Sequence, residues 1–111
     1  MRRKSPTKLS LENLSDRGYR AEVVEQNLRH VYRKRDLFGV LDILGINKET
    51  GMTIGVQTTD LTNVSHRIKK IQQSGMMETF DACKWEIEVH GWDTQTKDSL
   101  PRKRVVRLSK T

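Results

Sequence analysis

The stretch "DLFGVLDILGI", Asp36 to Ile46, wraps an apolar run around a single carboxylate, Asp42. An ionised carboxylate taken out of water alone is costly enough that it finds a cation or binds a proton. The run is rich in β-branched and leucine residues and too short for an ordinary helix, so Val40–Ile46 reads as a strand. "NKETG" carries turn chemistry, and "MTIGVQTT", Met52 to Thr59, is strand-like again. The two runs form a hairpin whose register can be counted. With Lys48–Gly51 as the loop, Asn47 faces Met52 and Asp42 falls opposite Gln57. Opposed residues on one face have Cβ atoms roughly 4.5–5.5 Å apart. Thr59 falls on the same face as Gln57. Leu41, Ile43, Ile54 and Val56 fall on the other face, the apolar one, which the pattern assigns to the core. A loop of different length would make the pairing diagonal.

A carboxylate beside an amide oxygen suits a hard divalent cation, because Mg²⁺ takes one or two carboxylates and completes its octahedron with water and phosphate oxygens. Such an ion polarises a phosphodiester and generates hydroxide. The residues alone leave two roles open for Asp42: metal ligand, or buried acid satisfied by backbone or arginine donors.

Around the hairpin, Met1–Lys8 is basic and aperiodic, so a loose arm is expected over 1–9 and a single domain over 10–111. Ser10 is placed to cap a short helix carrying Leu11 and Leu14, closed at Gly18. "YRAEVVEQ" leans towards strand. Val64, Ile68 and Ile71 make one stripe of a helix capped at Thr62 or Asn63 and closed by Gly75. "MMETFDAC" adds another helical turn or two. "KWEIEVHGW" alternates as a half-exposed strand, with Trp85, Ile87 and Val89 inward and Glu86, Glu88 and His90 outward. "DTQTKDSLPRK" is a polar loop and "RVVRL" a last edge strand. The element order is α-β-β-β-α-β plus one strand.

At 111 residues with 34% hydrophobic and 32% charged residues, the chain suits one small domain with a modest core. No apolar segment approaches the roughly 18–20 residues that span a bilayer, and no apolar segment follows the basic start as in a secretory signal. An intracellular, cytoplasmic address is expected, with no membrane partner. The net charge of +7 favours a polyanionic partner, nucleic acid first. Basic clusters supply candidate phosphate contacts: Arg33, Lys34 and Arg35; His66, Arg67 and Lys70; Arg102 and Lys103. His30, His66 and His90 lack zinc spacing, and Ser65 and Ser74 lack triad partners. Trp92 has two readings, a base-stacking ring or a cover for the edge of the core. The lone cysteine, Cys83, reads as a small buried hydrophobe.

The order α-β-β-β-α-β, with an Asp on the second strand and a [Glu/Asp/Gln]-x-Lys pattern on the third, resembles the PD-(D/E)XK nuclease superfamily. That superfamily includes Holliday-junction resolvases, Mrr-like enzymes and small phage or bacterial members. The wording "DLFG…D…GVQ-x-T" carries the likeness, which covers most of Leu11–Val89. It implies an α/β fold with a restriction-endonuclease-like αβββαβ core, a mixed central sheet flanked by helices, and here an extra C-terminal strand. It further implies a metal-dependent DNA endonuclease or resolvase, using Mg²⁺ or Mn²⁺ in a bacterial or phage-infected cell, as a possible homodimer. Asp42 takes the strand-two acid, Gln57 the first third-strand position, and both become metal ligands, with Glu25 as a further ligand and Glu12 its competitor; the alternative for each of these two glutamates is a solvated surface side chain. Asp36 shares the face of Asp42 if the strand is continuous, and otherwise forms a turn or pairs with an arginine. The sequence departs from the pattern at Thr59, which stands where the motif has its lysine; Lys69 or Lys70 from the next helix is the candidate replacement. The alternatives are a degenerate member that binds nucleic acid without cleavage, or a small basic adaptor.

Overall fold

Ser5 and Pro6 open the first helix, α1 (Pro6–Asp16). Ser5 Oγ accepts from the Lys8 amide at 3.2 Å, and proline at the first helical position gives up an N–H that would have no partner there. The computed structural model describes residues 4–28, 33–94 and 102–109. Its first helix corrects the expected start: Pro6–Leu9 belong to the helix rather than the arm, and Ser10 lies buried inside it rather than capping it. His30 and most of the expected loop before Arg102 fall outside the described residues.

Next come β1 (Arg20–Val23), β2 (Gln26–Leu28), β3 (Arg33–Arg35), β4 (Ile43–Ile46) and β5 (Thr53–Asp60). After a 3₁₀ turn follow α2 (Val64–Gln73), α3 (Met77–Ala82), β6 (Glu86–Trp92) and β7 (Lys103–Leu108). The protein is α/β: one five-stranded mixed sheet in the order β1-β4-β5-β6-β7, flanked by helices. Among the described residues only β5 and β6 run parallel, and α2 with α3 makes the crossover that parallel strands require. The β2–β3 hairpin stands apart from this sheet.

Both faces of the sheet carry core. On one, Leu14 of α1 packs with Ile43, Ile54 and Val56. On the other, Leu41 packs with Val64, Ile71, Phe80, Ile87 and Val89. Leu41 was expected beside Ile43, but β4 begins only at Ile43, and Leu41 sits in an isolated bridge with Leu37 that turns it to the opposite face. The face holding Asp42 and Gln57 is thus a covered face with a polar end, not a wholly polar one.

β6 is not half-exposed either: Glu88 and His90 are 2% and 0% exposed. The alternation is real, but α1 and two arginines cover the polar side. Arg17 grips Glu88 with two bonds of 2.8 Å, and Arg107 Nη2 adds one of 2.9 Å. His90 Nε2 lies 2.9 Å from Glu88 Oε1; an ionised carboxylate only accepts, so the imidazole donates. Burial by itself would push the Glu88 carboxyl up, but the bonds from His90, Arg17 and Arg107 hold it well below the usual carboxylate range. His90 Nδ1 then meets Ser10 Oγ at 2.8 Å, and Ser10 meets Thr58 Oγ1 at 2.8 Å.

Two glycine-containing features matter here. A Cβ on Gly91 would run into the side chain of buried Val64 and the Leu61 backbone. Gly91→Ala is therefore expected to destabilise the fold by about 1–3 kcal/mol, seen as a lowered midpoint in urea unfolding with an unchanged slope. In the turn after Asp36, Phe38 (φ +55°) and Gly39 (φ +76°) are both left-handed, and Val40 N–H closes on the Leu37 carbonyl at 3.1 Å. Glycine adopts such a φ freely; for a phenylalanine it costs roughly 1–2 kcal/mol.

Candidate metal centre

The β4–β5 ladder pairs Ile43 with Val56, and Asp42 N–H donates to the Val56 carbonyl at 2.9 Å. That register sets Asp42 opposite Gln57, as the loop length requires. Gln57 Nε2 donates to Asp42 Oδ2, and the Thr58 amide donates to the same oxygen at 2.9 Å. The Asp42 carboxyl is raised to about 6, first by burial and further by the negative charge of Asp36, against the lowering pull of the bonds from Thr58 and Gln57.

Two more acids arrive on the β2–β3 hairpin. Its register pairs Gln26 with Arg35, so Glu25 and Asp36 stand at its base on either side. One carboxylate oxygen each from Glu25, Asp36 and Asp42 lies within 4.8 Å of the others. Three acids this close repel one another unless a proton or cation intervenes. Lys70 Nζ approaches Asp36 Oδ2 at 3.3 Å.

Gln57 is 1% exposed, and its Oε1 is buried with no hydrogen-bond partner among the described residues. Leaving a buried acceptor unsatisfied costs about 1–3 kcal/mol. The donor set, carboxylate and amide oxygens, fits Mg²⁺, Mn²⁺ or Ca²⁺ and not a soft metal.

These residues line a cleft of about 890 Å³ that Arg67, Lys70 and Arg102 also line. Thr59 lines it too and is 6% exposed. Of the two candidate lysines, Lys70 borders the cleft, whereas Lys69 borders a neighbouring groove. Glu12 pairs instead with Lys4 at 2.7 Å on the exposed side of α1.

The basic candidates divide. Arg67 Nε is buried without a partner among the described residues. Arg102 is bonded to Asp93 at 2.9 Å, and Lys103 Nζ lies 5.9 Å from the Trp92 ring centroid. His66 and Arg35 are exposed; Arg33 and Lys34 lie on β3, their side chains outside the described ones. Trp92 is 5% exposed and donates to Ser10 Oγ at 2.9 Å, so it covers the core edge. Cys83 is exposed, not buried as expected: it caps the short α3, where Phe80 takes the inward position.

Sequence reasoning undervalued Asp36 and did not separate Lys70 from Lys69. The available signal for Asp36 was the pair of short β-like segments between Glu25 and Asp36, which bring their ends together when they pair. Among the described residues no helix is long and apolar enough to cross a membrane. Compared with protein families, curated proteins and solved structures, the chain finds no match.

Proposed function

We propose that the chain is a metal-dependent phosphodiesterase acting on DNA, of the restriction-endonuclease-like kind. One observation carries this: Glu25, Asp36 and Asp42 converge beside an orphaned Gln57 oxygen and a lysine, in a cleft with a basic wall. The mixed central sheet flanked by helices is compatible with the resemblance at the level of an α/β fold, although among the described residues five strands rather than three lie between α1 and α2.

The three acids and the Gln57 amide oxygen would hold Mg²⁺ or Mn²⁺. Such an ion, when bound, supplies Lewis-acid polarisation of a phosphoryl oxygen and a bound water of lowered pKa. The chain's own groups do the rest. The Lys70 ammonium, tethered near Asp36, donates to an attacking water and offsets charge growing on the phosphate, work for which Thr59 offers only a hydroxyl. Arg67 and Arg102, which line the same cleft, neutralise flanking phosphates, which makes binding fall as salt rises.

The test is cleavage of supercoiled, branched and single-stranded DNA in Mg²⁺ or Mn²⁺. Lys70→Ala is expected to lower the rate by about 10²-fold or more, while Lys48→Ala, in the exposed β4–β5 loop, stays within about threefold. Equal rates for the two variants would remove Lys70 from the chemistry. DNA retardation without cleavage in any condition favours the second reading, a non-cleaving binder, for which Thr59 in the motif-lysine position is the specific argument.

A further inference from the structure

Beside the metal centre lies a second groove, of about 550 Å³, bordered by Phe38, Val40, His66, Lys69 and Lys70. Lys70 is a wall common to this groove and the acidic cleft, and Phe38 follows Asp36 at the second position along the chain. Phe38 is 54% exposed, although its ring is the outermost of an aromatic group. Its centroid lies 6.1 Å from that of Phe80 and 6.2 Å from that of Trp85, which stack on each other at 5.8 Å. The ring is thus braced from below and open above.

Its backbone adds weight. A left-handed φ at this turn position suits asparagine or glycine, and an aromatic residue held there half in water gains little burial in return. An exposed apolar ring in a strained turn, rimmed by an exposed histidine and lysine, combines a stacking face with phosphate-binding charge. Those are the two elements by which single-stranded nucleic acid is held.

We infer that Phe38 is a stacking platform for an unpaired base of DNA, held by Lys69, Lys70 and His66 next to the scissile phosphate. The inference rests on reading the neighbouring cleft as a phosphodiester site, and it makes the preferred substrate one with unpaired nucleotides at the cut: a single strand, flap or branch. Trp92, buried, is not available for this role.

Binding is measured in EDTA, so that the result does not depend on cleavage. The probe is an oligonucleotide carrying 2-aminopurine, used single-stranded and as a duplex. The wild-type protein is expected to quench the unpaired 2-aminopurine. Phe38→Asn, which suits the left-handed backbone but has no ring, should bind the single strand about tenfold to a hundredfold more weakly. It should bind the duplex within about twofold of wild type, with an equal or higher melting temperature that rules out unfolding. Phe38→Trp should retain the quench. Single-strand affinity unchanged in Phe38→Asn, or no quench in the wild type, overturns the proposal even if the protein cleaves DNA. The former result is also what a protein-docking patch would produce. Loss of single-strand binding in a protein that never cleaves supports the platform and sinks the phosphodiesterase instead.

Discussion

Asp42→Asn is expected to abolish metal-dependent cleavage while making the metal-free protein more stable at neutral pH. The loss of rate should be at least about 10²-fold, since a metal contributes several kcal/mol and each 1.36 kcal/mol is tenfold. The gain in stability follows from titration. Asp42 releases its proton at about 6 when folded, against 3.8 as an isolated side chain, so the folded state binds that proton more tightly than the unfolded chain does. The resulting stabilisation is fully present below 3.8 and is lost as pH rises through about 6. Above that, the buried anion costs about 3 kcal/mol at most, from roughly 1.4 kcal/mol per pK unit. Asparagine carries no charge, and its amide oxygen can still accept from Thr58. A net gain of about 1–2 kcal/mol, some 4–8 °C per kcal/mol, should appear in EDTA at pH 8 and vanish at pH 4. Adding Mg²⁺ at pH 8 should raise the melting temperature of the wild type and leave the variant unmoved. At pH 5 the apparent metal affinity of the wild type should be about tenfold weaker than at pH 7.5, because the proton competes for Asp42. An acid kept only for structure gives the opposite sign: the variant melts lower at pH 8.

Glu88→Ala should be the most destabilising of the substitutions considered, by about 3 kcal/mol. It opens a cavity beside a fully buried imidazole and removes the shared acid of two arginines, although Arg107 keeps Glu86 at 2.6 Å and Arg17 keeps Asn13 at 2.9 Å. Arg17 and Arg107 are 31% and 55% exposed and can turn to water, which keeps the loss at the lower end for a broken buried pair. The fall in melting temperature should be roughly 12 °C or more. Glu88→Gln keeps the shape without the charge and should lie between. The sign with pH is opposite to that of Asp42: a depressed carboxyl stabilises above its ordinary 4.5 and loses that contribution as pH falls. The gap between wild type and Glu88→Gln should narrow in melts below pH 4.5. A gap that widens in acid would mean that Glu88 is protonated in the fold.

The hairpin register was legible because a loop of definite length leaves one counting, and the helix stripe Val64–Ile68–Ile71 because its period is local. The start of α1 was also written, in "SP" at Ser5–Pro6, but Ser10 precedes the first apolar pair and competes for the same signal. Burial of Glu88 and His90 could not be read from alternation, since a face covered by arginines has the same pattern as a face covered by water. Leu41 changed sides because a bridge with Leu37 breaks the strand's period, and nothing within the run announces it. The acidic cluster was half legible: Asp42 and Gln57 through the ladder, Glu25 and Asp36 only through a hairpin whose pairing is not dictated by turn chemistry.

That hairpin has a mechanical corollary. Gln26 and Arg35 are its last bonded pair, so Glu25 and Asp36 act as the jaws of a calliper whose handle is the rest of the excursion. Lengthening or shortening the handle symmetrically leaves the jaw gap alone, whereas slipping one arm past the other throws one carboxylate out of line.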